Sequence, residues 1–127
     1  MKTAADPRHK QRIKVMQDLF AWDFHKKDHP ETQTGQEIAS NLKIIDKSIA
    51  EAAPAWPLEK INKIDLAILR QSVFELLTPP KEKLELTPPK VVVDEAVELA
   101  KEFGSESSPA FVNGVLGKVI QDNQIKV

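Results

Sequence analysis

The sequence predicts an all-α protein, a compact helical bundle, and three observations carry that prediction. Apolar residues recur at three- and four-residue intervals along nearly the whole chain. Helix-start signals stand where those runs begin, at Asp6-Pro7, Thr34-Gly35-Gln36-Glu37 and Ser108-Pro109. The stretch with the strongest strand propensity, Val91-Val92-Val93, continues into a 4-3-4 spacing of Val92, Ala96, Leu99 and Phe103. A helix puts those four on one face and a strand does not.

Taken in order, the first helix opens with Asp6 as cap and Pro7 at its first position, and runs towards Phe24–Lys27. At about 100° per residue, Ile13, Met16, Phe20 and Phe24 form one apolar stripe and Val15, Leu19 and Trp22 a second. Two stripes mean packing on more than one side, and by this periodicity Phe20 belongs to the core. Pro30 ends the unit. The capping box at Thr34 opens a helix with Ile38, Leu42, Ile45 and Ile49 on one face, closed by Pro54. The segment from Ile61 to Leu77 is apolar most of the way round and should be the central helix. Within it, Asp65 is expected on the exposed strip. Arg70 needs a carboxylate from its surroundings, with Glu75 and Glu95 the candidates, because a desolvated lone charge is very costly. Residues 78–90 repeat Thr-Pro-Pro-Lys, at Thr78–Lys81 and Thr87–Lys90, and form a semi-rigid loop. The next helix carries Val92 to Phe103 and stops at Gly104. The last starts at Ser107 or Ser108 and buries Val112, Val115, Leu116, Val119 and Ile120. Gly114 inside it costs about 1 kcal/mol against alanine, which anticipates a close approach by another helix or a ligand.

A chain of 127 residues makes one domain. With 41% hydrophobic and 29% charged residues it has the balance of a folded globular protein, not a disordered one. It contains no cysteine, which excludes disulfides, thiolate metal sites and cysteine nucleophiles. No apolar run approaches the ~18 residues of a membrane span, and Met1–Arg8 leads into charge and not into a signal-peptide core. A cytoplasmic location is expected. His25 and His29 stand four apart, but Pro30 disfavours helical geometry at His29, so a metal pair is not expected there. Phosphate-cradling glycine loops and nucleophile elbows are missing too, so neither catalysis nor a cofactor is expected. The net charge is −1, yet residues 1–14 set Lys2, Arg8, Lys10, Arg12 and Lys14 against Asp6 alone, a local +4. Such an arm suits an anionic partner such as RNA or DNA, and equally suits a solvated face.

The segments Ile68-Leu69-Arg70-Gln71-Ser72-Val73-Phe74-Glu75-Leu76, Val92-Val93-Asp94-Glu95-Ala96-Val97-Glu98-Leu99-Ala100-Lys101-Glu102-Phe103 and Phe111-Val112-Asn113-Gly114-Val115-Leu116 stand in this order. They resemble the "iLRla-yEL", "aINEAveLAK-f" and "kFVNGvLd" signatures of the NusB family of transcription antitermination factors. The N-terminal part, with Arg8, Arg12, Gln17, Leu19, Phe20 and Trp22, is similar to that family's arginine-rich first helix. The resemblance implies two small helical subdomains, here 1–54 with the basic helix and 55–127, within a single domain over 1–127. It implies no catalytic site and no cofactor. Its implied partners are boxA-type RNA of nascent ribosomal transcripts, a small-subunit ribosomal protein (NusE) and the antiterminating RNA polymerase. It assigns Lys2, Arg8, His9, Lys10 and Arg12 to phosphates, and Phe20, Phe111 and Asn113 to RNA. Asp65 would lie beside both RNA and the ribosomal protein, with Glu75 also at the protein partner. Phe20 stands where the family has tyrosine, Asp65 where glutamate is frequent, and Gly117 where aspartate is usual. A NusB-like helical interaction module without strong RNA binding is the alternative. The N-terminal domain of certain ribosomal RNA cytosine methyltransferases shares the fold, but 127 residues leave no room for their catalytic domain. Monomer and homodimer both stay open.

Overall fold

The computed structural model describes residues 6–77 and 87–127. Among them are six α-helices and no strand: α1 (Pro7–Phe24), α2 (Gln33–Ser40), α3 (Leu42–Ala52), α4 (Lys63–Leu77), α5 (Pro89–Phe103) and α6 (Ser108–Asp122). A short 3-10 turn at Leu58–Lys60 precedes α4. Val91–Val93 is helical, as its continuation into α5 requires.

α4 is the axis. Every residue from Asp65 to Phe74 is buried, and α1, α2, α3, α5 and α6 all pack against it. One apolar cluster draws on all six helices, from Val15 and Met16 of α1 to Leu116 and Val119 of α6. Arg70 sits in this cluster at 8% exposure. Its Nε and Nη2 each donate to Asp46 of α3 at 3.0 Å, its Nη1 to Asp23 of α1 at 3.4 Å, and its guanidinium lies 5.9 Å from the Trp22 ring centroid. The expected carboxylates, Glu75 and Glu95, are not its partners. Both lie at the other end of α1.

The helix starts follow their capping chemistry. Asp6 accepts from Arg8 N–H at 2.9 Å ahead of Pro7. α2 begins earlier than the Thr34 box predicts, because the capping hydroxyl is that of Thr32, which accepts from Gly35 N–H at 2.9 Å. That hydroxyl in turn donates to Asp18 of α1 at 2.6 Å, and Asp18 also accepts the N–H groups of Glu31 and Thr32 at 2.8 Å each. The expected single helix through Ile38 and Ile49 is two helices. The break falls at Asn41, whose side chain donates to Glu37 C=O at 2.8 Å and whose N–H turns back to Ile38 C=O. Ile38, Ile45 and Ile49 stay fully buried across the break.

Gly104 does end α5, but in extended and not left-handed backbone. Glycine is needed for a different reason: a Cβ there would stand 2.5 Å from the Ser108 hydroxyl. Gly114 behaves in the opposite way, since nothing among the described residues lies within 4 Å of its missing Cβ. The anticipated helix neighbour is not found among them.

Candidate nucleic-acid interface

The first helical turns of α1 divide the basic residues by direction. Arg8 is 84% exposed at its side chain and, among the described residues, pairs only with Asp6, at 3.7 Å. Lys10 and Lys14 are exposed. His9, 100° round the helix from Arg8, is 4% exposed and lies between Glu95 and Glu102 of α5, with Nδ1 3.4 Å from one carboxylate and Nε2 2.7 Å from the other. Arg12 faces inward as well. It holds Glu75 of α4 by two donors at 2.7 and 3.2 Å, with Glu95 3.7 Å away. The basic arm therefore presents fewer charges outward than its sequence count, because Arg12 is spent on Glu75 of α4, and His9 adds none there because it is turned to Glu95 and Glu102 of α5. Glu75 is likewise occupied: it anchors α1 and is only 14% exposed at its side chain. Lys2 lies outside the described residues.

At the other end of α1, Phe20 is half-buried and carries the ring of Phe24 on its face, with centroids 5.5 Å apart and planes 12° from parallel. Periodicity placed both in the core with Met16. The structure buries Met16 completely and leaves Phe24 at 58% exposure; at about 100° per residue Phe24 has drifted about 80° from Met16, onto the side of the helix that Lys10 and Gln17 share. About 18 Å of helix separates Arg8 from Phe20.

A second station forms where the start of α4 meets the start of α6. Asp65, Asn62, Trp56, Ser107 and Phe111 line a cavity of about 290 Å³. Asp65 was expected on an exposed strip and is instead 6% exposed, because the α5–α6 turn folds over it. Ser108, fully buried, hydrogen bonds to Asp65 and accepts from Ser105 N–H at 2.9 Å. The other carboxylate oxygen, Oδ1, has no hydrogen-bond partner among the described residues. Burial pushes the Asp65 carboxyl above the ordinary carboxylate range, with the Ser108 hydrogen bond opposing the shift. Phe111 is half-buried and meets Trp56 edge to face, centroids 6.3 Å apart. Asn113 is exposed beside the open Gly114.

Three residues of these stations were not singled out from the sequence. Trp56 read only as part of a Trp-Pro turn, and Phe24 only as core. Ser108 signalled a helix start and nothing more. An aromatic at the last position of a helix, at the edge of the apolar stripe, is the local signal that could have marked Phe24. His25 and His29 do not share a helix face, since α1 ends at Phe24 and His29 turns its Nδ1 to Pro30 C=O.

The NusB family model matches residues 32–121. The transcription antitermination protein NusB of Chloroflexus aggregans is 40% identical over 91% of this chain and 88% of its own length. That of Roseiflexus castenholzii is 39% identical over 91% and 93%. Among solved structures, NusB of T. maritima superimposes with a TM-score of 0.76 at 29% identity, covering 96% of this chain and 94% of the other.

Proposed function

The chain belongs to the NusB family, and from that premise we propose that it is an RNA-binding transcription antitermination factor. In this reading it pairs with a small-subunit ribosomal protein on boxA-type RNA of nascent transcripts and helps RNA polymerase resist termination. It is not an enzyme; the family it belongs to consists of non-enzymatic antitermination factors. The observation that carries the reading is the division of charge on α1. Arg12 and His9 are turned inward to carboxylates of α4 and α5, while the side chains of Arg8, Lys10 and Lys14 face outward, where an anion can reach them. Those cations suit phosphates, whose neutralisation gives affinity without sequence preference. Base contacts would then fall to the cavity at the other station. Phe111 offers an aromatic surface, and Asp65 Oδ1 a buried acceptor for an N–H group. Asp65 also stands at the edge where a protein partner could reach it, whereas Glu75 acts through Arg12.

The test is a titration of boxA-type and scrambled RNA, with and without the ribosomal partner, over a salt series. The expected result is preference for the boxA sequence and tighter binding with the partner present. Arg8→Ala and Lys10→Ala should each lower the salt slope by about one. Equal affinity for the scrambled sequence would overturn the sequence-reading part. Binding of the ribosomal partner without any RNA would leave a protein-interaction module.

A further inference from the structure

The exposed side of α1 carries more than phosphate ligands. Plotted at about 100° per residue, Lys10, Lys14, Gln17 and Phe24 fall within about 80° of one another, and all four are exposed. The carboxylates on the helix are turned elsewhere and engaged: Asp18 holds the start of α2, and Asp23 holds Lys63 and Arg70. Neither Lys10 nor Lys14 has a carboxylate within 4 Å among the described residues. The stripe thus runs from free cations to an aromatic ring over about 20 Å.

Phe24 is also placed as a platform. One face of its ring lies on Phe20, nearly parallel, and the His25 ring stands almost perpendicular to it, centroids 5.1 Å apart and planes at 86°. Held on one side, the ring leaves 58% of the residue to solvent. Lys26 and Lys27 follow in the turn, both exposed. An isolated exposed phenylalanine needs no explanation. One stacked on a second ring, at the end of a row of unpaired cations, does.

We propose that Phe24 is a base-stacking residue for single-stranded RNA, with Phe20 beneath it as its support and Lys14 and Lys10 guiding the phosphates that follow. This rests on the RNA-binding reading above and adds to it a contact that Phe20 alone cannot make, because Phe24 covers part of the Phe20 ring. Cations of one sign along the stripe favour a polyanion over an apolar protein segment. Stacking on an aromatic platform tolerates any base, so this end supplies affinity and the Asp65 end supplies choice.

The experiment is an anisotropy titration of a 12-nucleotide boxA-type RNA, with the ribosomal partner present, on the full chain and on Phe24→Ala, Phe24→Trp and Lys14→Ala, each also melted. Phe24→Ala should lose affinity about five- to hundred-fold with the salt slope unchanged and little change in Tm. Phe24→Trp should restore binding. Lys14→Ala should lower the slope by about one. Unchanged RNA affinity in Phe24→Ala, while the unsubstituted chain binds, overturns the platform and leaves the RNA-binding reading standing. Loss of the ribosomal partner and not of RNA from Phe24→Ala overturns it in favour of a protein contact. An unsubstituted chain that binds no RNA overturns both.

Discussion

Arg70 and Asp65 are both charged residues buried in the same helix, five positions apart, at 8% and 6% exposure, and they are treated in opposite ways. Arg70 has two carboxylates and an aromatic face around it. Asp65 has one hydroxyl, and an oxygen with no hydrogen-bond partner among the described residues. Desolvation penalises both; Arg70 is compensated on every side and Asp65 only by the Ser108 hydrogen bond. A fully partnered buried charge fixes how helices pack: Arg70 ties α4 to α1 and α3 at once. A half-partnered one lining a cavity leaves a hydrogen bond to be made by something else. The difference sets a charge that holds helices together beside one that keeps an acceptor at a cavity.

The sharpest way to break that contrast is Arg70→Ala. It leaves Asp46 and Asp23 without their cation and should cost about 3–5 kcal/mol, read by chemical denaturation. A loss below about 1 kcal/mol would mean that the pairs contribute no more than surface ones. Arg12→Ala comes next. It removes the two charge-assisted bonds to Glu75 and should cost about 2–3 kcal/mol, with a smaller effect on RNA affinity than Arg8→Ala despite the larger effect on stability.

Asp18→Asn weakens the clamp on α2 by about 1 kcal/mol. Burial alone would raise the Asp18 carboxyl, but hydrogen bonds from the Thr32 hydroxyl and from the N–H groups of Glu31 and Thr32 outweigh it and hold it below its ordinary 3.8. The unfolded chain therefore takes up a proton first as pH falls. The clamp's contribution is complete above 3.8 and is lost below it. Melting at pH 7 and pH 2 should accordingly separate wild type from variant only at the higher pH.

Asp65→Asn should have the smallest effect on stability, and of the opposite sign. The Asp65 carboxyl is raised, so folding is favoured when it is protonated and that advantage disappears as pH rises through its folded value. At neutral pH the variant should melt slightly above wild type. Below 3.8, where both folded and unfolded chains hold the proton, the gap should close. A lower Tm for Asp65→Asn at neutral pH would place Asp65 with Arg70 as a structural charge and end the comparison.

The helices were legible because the apolar period of 3.6 survives in each of them, and α4 as the centre because its period fills the whole circumference. The α2–α3 break was not. Ile38, Leu42, Ile45 and Ile49 keep helical spacing through Asn41, so the pattern has no gap where the backbone turns. That Arg70 needed an anion was legible from desolvation, but Asp46 as that anion was not, since it depends on how α3 crosses α4. His9 and Arg8 are neighbours of similar chemistry in the sequence. Only the position of Glu95 and Glu102 on α5 sends one inward and the other out. The cavity at Asp65 was visible as residues and not as a place: Trp56 and Phe111 are 55 positions apart, and no local pattern joins them.

The open side of α6 has a consequence for motion. Gly114 and Gly117 are one turn apart, both exposed, and a methyl group at either would meet nothing among the described residues. Each gives up about 1 kcal/mol of helix propensity relative to alanine, so the middle of α6 resists unwinding less than its buried face suggests. Its amide hydrogens should exchange with solvent through local openings well before the Leu66–Val73 segment of α4 releases its own. Alanine at both positions would slow that exchange. Such openings would fall beside Asn113 and within one turn of Phe111, and slower exchange in α6 than in α4 would refute them.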